Sequence, residues 1–269
     1  MIAKIRAGLA LFVIAVTAVF MGFTQKLLLM LGIGNPSIIP SAWHRIVLPM
    51  LGIRVRVTGK MSDQRPLLLV ANHISWTDIL VISSVAHVCF IAKSEMMTWP
   101  IFGSMARLQR TVFIERDRKR KSGEQASELA QRLVAGDSMV LFAEGSTSDG
   151  NQILPFKSTL FGAAEMAIKE GAADKVLIQP LAISYTHLHG MPMGRRHRHL
   201  AAWIGDMDLV PHLGMLLKGG AMDVELRFGE PAEFSAASDR KKMTRQTEET
   251  VRQLFGAALR DVRPLTRAR

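Results

Sequence analysis

Short β-like runs alternate with helix-like stretches along most of the chain, and this alternation restricts its fold more than any other feature. The predicted strands cover residues 55–57, 67–71, 88–92, 111–114, 139–142, 176–183, 201–204 and 224–228. The predicted helices cover residues 78–85, 122–134, 158–169 and 244–259. The pattern predicts an α/β fold, with a mostly parallel sheet flanked by helices and a site at the carboxyl ends of the strands.

Three polar side chains follow predicted strands directly. His73 follows the second of these strands, Arg116 the fourth and Glu144 the fifth. Because the carboxyl ends of parallel strands meet at one edge of a sheet, we expect the three residues to belong to one site.

The segment from Asn72 to Asp78 places an imidazole and a carboxylate five positions apart. In a continuous helix these side chains would point about 140° apart. The local signals instead indicate a strand that ends near His73 and a helix that begins near Ser75, so that Asp78 can fold back towards the ring. A carboxylate on one imidazole nitrogen orients a general base. The alternative is a capping box, with Ser75 as N-cap and Asp78 at N3, in which His73 has no task.

The N-terminus is strongly apolar. Residues 7–25 carry no charge, Lys4 and Arg6 precede them, and a second apolar patch covers residues 27–33. The length is near the lower limit for a membrane span. A cleaved signal peptide is less favoured, because no small-x-small site is followed by a polar mature start. Cations just beyond the run argue for cytoplasmic retention, which favours a helical hairpin or two helices lying within one leaflet.

Length and charge complete the expected organisation. The 269 residues show no repeats or strong linkers, and we expect a membrane anchor (1–40), a catalytic domain (41–238) and a basic C-terminal helix and tail (239–269). The net charge of +11 comes with no nucleic-acid-binding motif, so we expect an anionic membrane surface as partner rather than nucleic acid. The alternative to contact with lipid head groups is that the basic clusters are simply solvated surface. These clusters cover residues 116–121, 195–198 and 239–269.

Metal chemistry is not expected. Cys89 is the single cysteine, which excludes a disulfide within the chain and a zinc site built on cysteines. A loose group of histidines surrounds the basic cluster at 195–198, and a polar loop near lipid head groups accounts for it better than a metal site does. The group consists of His187, His189, His197 and His199.

Four strings, taken in order, resemble the glycerolipid acyltransferase family that includes 1-acylglycerol-3-phosphate acyltransferases. Asn72-His73 with Asp78 matches the N-H-x4-D signature, and residues 110–116 are similar to the F-I-x-R block. Residues 141–147 look like the F-P-E-G-T block, and residues 176–183 are similar to the I-x-P-V strand. Each string is weak alone, but their joint order and spacing are specific. The resemblance covers about residues 50–230.

This resemblance makes His73 the expected general base and Asp78 its orienting partner. A lysolipid hydroxyl would attack an acyl thioester, from acyl carrier protein or coenzyme A, while His73 takes the hydroxyl proton. Neither a cofactor nor an enzyme nucleophile is required. Backbone amides near Gly145 are candidates for the oxyanion donors. The resemblance implies a substrate-binding set of Asn72, Ser75, Arg116, Glu144, Gly145, Ser146 and Thr147.

The chain departs from the family pattern in the third block. Ala143 stands where proline is usual, and Ser146-Thr147 stands where Thr-Arg is common, so a planar donor for a phosphate is missing. The strings at 99–103, 108–116, 148–151 and 154–158 resemble the bacterial branch that includes lyso-ornithine lipid O-acyltransferases. The favoured acceptor is therefore lyso-ornithine lipid, with lysophosphatidate, or both acceptors, as alternatives.

Two further classes of function are open. A non-enzymatic lipid-binding protein is less favoured, because binding does not need a base and its orienting carboxylate. The N-terminal apolar run argues against a basic nucleic-acid binder. The expected location is the bacterial inner membrane, with the catalytic domain on the cytoplasmic side.

Overall fold

The computed structural model describes residues 2–99, 101–114, 128–169, 173–205 and 207–261. The chain begins with helices α1 (Ile2–Leu31) and α2 (Ile38–Met50), followed by strands β1 (Ile53–Thr58) and β2 (Leu67–Ala71). Next come helix α3 (Thr77–Val85), strand β3 (Cys89–Lys93), a 3-10 turn (Ser94–Thr98), helix α4 (Phe102–Leu108) and strand β4 (Val112–Ile114). Helical residues 128–134 (α5) precede strand β5 (Ser138–Phe142).

The second half begins with a 3-10 turn (Ser158–Phe161), helix α6 (Gly162–Lys169) and the long strand β6 (Lys175–Leu188). Strand β7 (Met191–Pro192), helix α7 (Arg195–Arg198), helix α8 (Leu209–Gly219) and strand β8 (Met222–Phe228) follow. Strand β9 (Ala232–Ser235) and helix α9 (Arg240–Arg260) end the described chain.

The strands form one sheet in the order β1-β8-β6-β2-β5-β3-β4, with β7 and β9 paired to β6. The pairs β1/β8, β2/β5, β2/β6, β3/β5 and β3/β4 are parallel, whereas β8, β7 and β9 pair with β6 in antiparallel fashion. Strand β2 lies at the centre, and all of its residues are buried. A continuous apolar run suits a strand that is covered on both faces. The predicted α/β fold with a mostly parallel sheet and flanking helices is confirmed.

Residues 201–204 were predicted as a strand, and that prediction is wrong. The segment is a loop in which Ala201 N–H donates to Arg198 O at 3.0 Å and Trp203 N–H donates to Ile74 O at 3.0 Å. Ala201 and Ala202 are buried. Their apolar character therefore reflects packing of a loop against the core rather than membership of the sheet. The sequence prediction also missed helices α4 and α8.

The N-terminal apolar segment forms a helix about 45 Å long, which by length and composition alone is long enough to cross a membrane. Arg6 donates to Lys218 O at 2.8 Å near one end, and Gln25 donates to Leu108 O at 2.8 Å nearer the other. Trp43 of α2 donates to Thr17 Oγ1 at 3.2 Å. The helix is thus attached along its length to the rest of the structure. Helix α2 runs across the boundary expected between residues 40 and 41. Helix α9 has Asp239 as its N-cap, so it begins where the C-terminal segment was expected to begin.

Candidate active site

The chain leaves β2 at Ala71, turns through residues 72–76 and enters α3, and this turn brings His73 and Asp78 together. His73 Nδ1 lies 2.9 Å from Asp78 Oδ2. The same oxygen accepts hydrogen bonds from the backbone N–H groups of Ile74, at 2.7 Å, and Ser75, at 3.0 Å. Asp78 is completely buried, while the His73 side chain keeps 19% of its surface exposed. The carboxylate is therefore fixed by the backbone and in turn orients the imidazole.

Tyr185 holds the second oxygen of Asp78. Its hydroxyl donates to Asp78 Oδ1 at 2.9 Å and also shares a hydrogen bond with Thr77 Oγ1. Burial, reinforced by the charge of Asp78, raises the pKa of Tyr185 well above its ordinary value. The hydroxyl therefore stays protonated and acts as a donor. The sequence prediction missed this residue, although it is the only tyrosine in the chain and lies just beyond a predicted buried strand.

Phe142 lies against one face of the His73 ring. The ring centroids are 3.9 Å apart and the planes differ by 13°. This contact follows from the register of the parallel pair β2/β5, in which Ala71 lies opposite Phe142. Because the imidazole is bonded at Nδ1 and stacked on one face, Nε2 is the nitrogen available to a substrate.

Glu144 lies behind the His73 loop, with only 1% of its surface exposed. Its Oε1 accepts from His73 N–H at 3.0 Å, and its Oε2 accepts from Leu154 N–H at 3.2 Å. Burial raises the pKa of Glu144 to about 8, against the lowering effect of these two hydrogen bonds and with a further rise from the charge of Asp78. The Glu144 side chain thus supports the backbone at His73.

Asn72 is also buried and pairs with backbone. Its amide donates to Ile183 O at 3.0 Å and accepts from Ile183 N–H at 2.8 Å, which joins the end of β2 to β6. Ser75 is buried, and within the described chain its Oγ has no hydrogen-bond partner. Of the expected capping box, only the bond from Ser75 N–H to Asp78 is present. The Asp78 carboxylate therefore bonds both to the His73 ring and to the N–H of Ser75.

Three further predicted substrate-binding residues, Gly145, Ser146 and Thr147, lie on the turn after β5. Gly145 has a φ of +71°, a conformation that favours glycine, and its N–H donates to Phe142 O at 3.1 Å. Ser146 is exposed and Thr147 is half-buried. Arg116 lies outside the described residues. The structure therefore brings Asn72, Ser75, Glu144 and the turn together around His73, and contact with substrate stays a prediction for each of them. Within the described ranges, no group of three His, Cys, Asp or Glu side chains is arranged to hold a metal ion.

Comparison with known proteins identifies the family of the chain. The acyltransferase family model matches residues 53–184. A lyso-ornithine lipid O-acyltransferase from Brucella abortus is 54% identical over 87% of this chain and 88% of its own length. Another from Rhizobium meliloti is 46% identical over 97% and 89%, respectively. A 1-acyl-sn-glycerol-3-phosphate acyltransferase from Neisseria meningitidis is 32% identical over 77% of each chain.

A solved structure shares the fold. The crystal structure of the 1-acyl-sn-glycerophosphate acyltransferase from Thermotoga maritima superposes with a TM-score of 0.57, at 23% identity, over 95% of this chain and 97% of the other. The fold, the joined His73–Asp78 pair and the similarity to the Brucella and Rhizobium proteins lead to one conclusion. This chain belongs to the acyltransferase family of enzymes.

Proposed function

We propose that the protein transfers a fatty acyl group from an acyl thioester to the free hydroxyl of a lysolipid, with lyso-ornithine lipid as the favoured acceptor. The observation that carries the proposal is the 2.9 Å contact between His73 Nδ1 and Asp78 Oδ2, beside a half-buried imidazole edge. An imidazole whose Nδ1 is bound to a carboxylate presents Nε2 to a substrate as a proton acceptor.

In this mechanism His73 removes the proton from the lysolipid hydroxyl as its oxygen attacks the thioester carbonyl. An O–C bond forms, the carbonyl oxygen becomes an oxyanion, and collapse of the intermediate breaks the C–S bond. The departing thiolate then takes the proton from the imidazolium, which regenerates the base. The nucleophile belongs to the substrate, so the enzyme needs only a base and its support.

Asp78 supplies that support in two ways. It fixes the ring through Nδ1, and its negative charge offsets the positive charge that develops on the imidazole. Two backbone amides and Tyr185 prevent the carboxylate from turning away. Phe142 limits rotation of the ring. We assign Asn72 and Glu144 to positioning the loop backbone, because their polar atoms are bonded to backbone groups.

Two lines of support favour lyso-ornithine lipid as the acceptor. The two relatives with 54% and 46% identity carry that name. Thr147 occupies the position where the resemblance leads us to expect a phosphate-binding arginine. Lysophosphatidate is the second candidate, supported by the Neisseria relative. The acyl donor is acyl carrier protein or coenzyme A thioester.

We further propose that the enzyme works at the cytoplasmic face of the bacterial inner membrane. Helix α1 supports this, since Phe12, Val19, Phe20 and Phe23 are all more than half exposed. Large apolar side chains exposed along one helix are typical of contact with lipid. The basic residues of the chain complement anionic head groups.

The test is an acyl-transfer assay with the full-length protein in vesicles. The two lysolipids are offered at equal surface concentration with one acyl thioester, and mass spectrometry identifies the products. We expect a higher kcat/KM for lyso-ornithine lipid. A higher kcat/KM for lysophosphatidate would assign the enzyme to phosphatidate synthesis, and no transfer to either acceptor would refute the proposal.

A further inference from the structure

Two chain segments outside the catalytic motif pack on the loop that carries His73. Ser148 N–H donates to His73 O at 2.8 Å, and Trp203 N–H donates to Ile74 O at 3.0 Å. Gly150 lies where these segments meet. A Cβ atom added there would lie 3.4 Å from Ile74 Cγ2 and 3.5 Å from Arg198 Cβ. The turn 148–151 and the short helix α7 therefore converge beside the base.

These segments carry opposite charges, on Asp149 and Arg198. Asn151 connects them, since its backbone N–H and its side-chain amide donate to the Asp149 carboxylate at 2.9 and 3.1 Å, and its Oδ1 accepts from Arg198 Nη1 at 3.2 Å. Burial raises the pKa of Asp149, but these and further backbone hydrogen bonds outweigh burial and hold it below the ordinary value. Asn151 therefore holds an anion and a cation near each other beside the loop that carries His73.

Both charged groups retain hydrogen-bonding capacity. On Asp149, Asn151 donates one hydrogen bond to each carboxylate oxygen, and the residue is only half-buried, so a ligand can still reach it. A guanidinium has five N–H donors, and within the described part of the chain Arg198 Nε is buried without a hydrogen-bond partner. Burial and the neighbouring Arg195 lower the pKa of Arg198, so a bound anion would stabilise its charged form.

We infer that Arg198 and Asp149 form a subsite for a zwitterionic amino-acid head group, in which Arg198 binds the carboxylate and Asp149 binds the ammonium. This inference rests on the proposed function and names the residues that recognise its acceptor. A phosphate monoester carries only negative charge, and Asp149 would repel it. The pair therefore attracts the zwitterionic acceptor and repels the phosphate. Specific binding sites commonly combine an attractive contact to one ligand with a repulsive contact to its competitor.

The pairing is tested by changing the head group and the protein together. Three acceptors are compared: lyso-ornithine lipid, the same lipid with its side-chain amine acetylated, and the same lipid with its carboxylate converted to a methyl ester. In the wild-type enzyme each modification should lower kcat/KM by roughly 10- to 100-fold, the loss expected for one hydrogen bond between charged groups.

Each variant should lose sensitivity to one modification alone. Asp149→Asn, which keeps an oxygen for Asn151, should no longer distinguish the acetylated lipid but should still discriminate against the methyl ester. Arg198→Gln should show the reverse pattern. Arg196→Gln, an exposed neighbour on α7, is the matched control and should behave as the wild type does. Because each comparison is made within one variant, a partial loss of folded protein cancels.

The outcomes distinguish a failure of the subsite from a failure of the proposed function. If either variant keeps the wild-type sensitivity to both modifications, the subsite is wrong while the acyl-transfer proposal stands. If the wild-type enzyme acylates lysophosphatidate but not unmodified lyso-ornithine lipid, the proposed acceptor is wrong and the subsite is rejected with it.

Discussion

The carboxylate of Asp78 has a structural role and a proposed catalytic role, and two substitutions separate them. Asp78→Ala leaves the N–H groups of Ile74 and Ser75 without an acceptor in a buried site. At about 1–3 kcal/mol for each buried unsatisfied donor, we expect a loss of roughly 2–6 kcal/mol of unfolding free energy. For a chain of this size the melting temperature falls by about 2–4 °C per kcal/mol.

Asp78→Asn should behave differently. Its amide oxygen can take the place of Oδ2 and keep all three acceptor contacts, while its NH2 group faces the Tyr185 hydroxyl, which can turn to accept. We therefore expect a melting temperature within a few degrees of wild type. The negative charge that offsets the imidazolium is lost, so kcat should fall by about 10²- to 10⁴-fold.

The assay pairs thermal unfolding with release of free thiol from a saturating acyl thioester in the presence of lysolipid vesicles. The expected pattern is an unstable alanine variant and a stable, nearly inactive asparagine variant. If Asp78→Asn keeps more than a tenth of wild-type kcat with an unchanged melting temperature, the carboxylate charge has no part in the reaction.

Three further predictions concern Glu144, helix α1 and Thr147. Because the pKa of Glu144 is raised from 4.5 to about 8, its contribution to stability is complete below pH 4.5 and is lost as the pH rises through 8, with a slope of up to about 1.4 kcal/mol per pH unit. Denaturant unfolding of Glu144→Gln should lack this slope, and a pH profile identical to that of the wild type would refute the raised pKa of Glu144. Phe20→Asp combined with Phe23→Asp should reduce flotation with vesicles without lowering the melting temperature, because both side chains are exposed; unchanged flotation in high salt would place the anchor elsewhere. Thr147→Arg should shift the ratio of the kcat/KM values for the two acceptors towards lysophosphatidate, because it adds a bidentate phosphate donor. An unchanged ratio would show that the residue at position 147 does not discriminate between the head groups.

The parts of the site that were predictable from the sequence are local. His73 and Asp78 are five residues apart, so the end of a strand and the start of a helix were enough to bring them together. The contacts of Tyr185 and Phe142 depend instead on sheet register between segments far apart in sequence. The stack on His73 exists because Ala71 lies opposite Phe142 in the parallel pair β2/β5, and no local pattern encodes that register.

The same distinction explains why the strand predicted at residues 201–204 is wrong. The loop 201–204 is apolar like a strand, but its backbone bonds to Arg198 and Ile74 instead of to a strand, and its two alanines are buried. Glu144 follows a strand and matches a motif, and its expected contact with substrate stays a prediction. The hydrogen bond that Glu144 accepts from Leu154 N–H depends on the path of residues 148–154, which the motif does not describe.

The most direct test of His73 as the general base is the kcat/KM of purified His73→Ala with a lysolipid and an acyl thioester. His87→Ala is its matched control, because His87 is exposed and lies just beyond the end of α3 opposite Asp78. We expect His73→Ala to lose about 10³-fold or more at an unchanged melting temperature, while His87→Ala stays near wild type. Activity of folded His73→Ala within a few-fold of wild type would show that His73 is not the base.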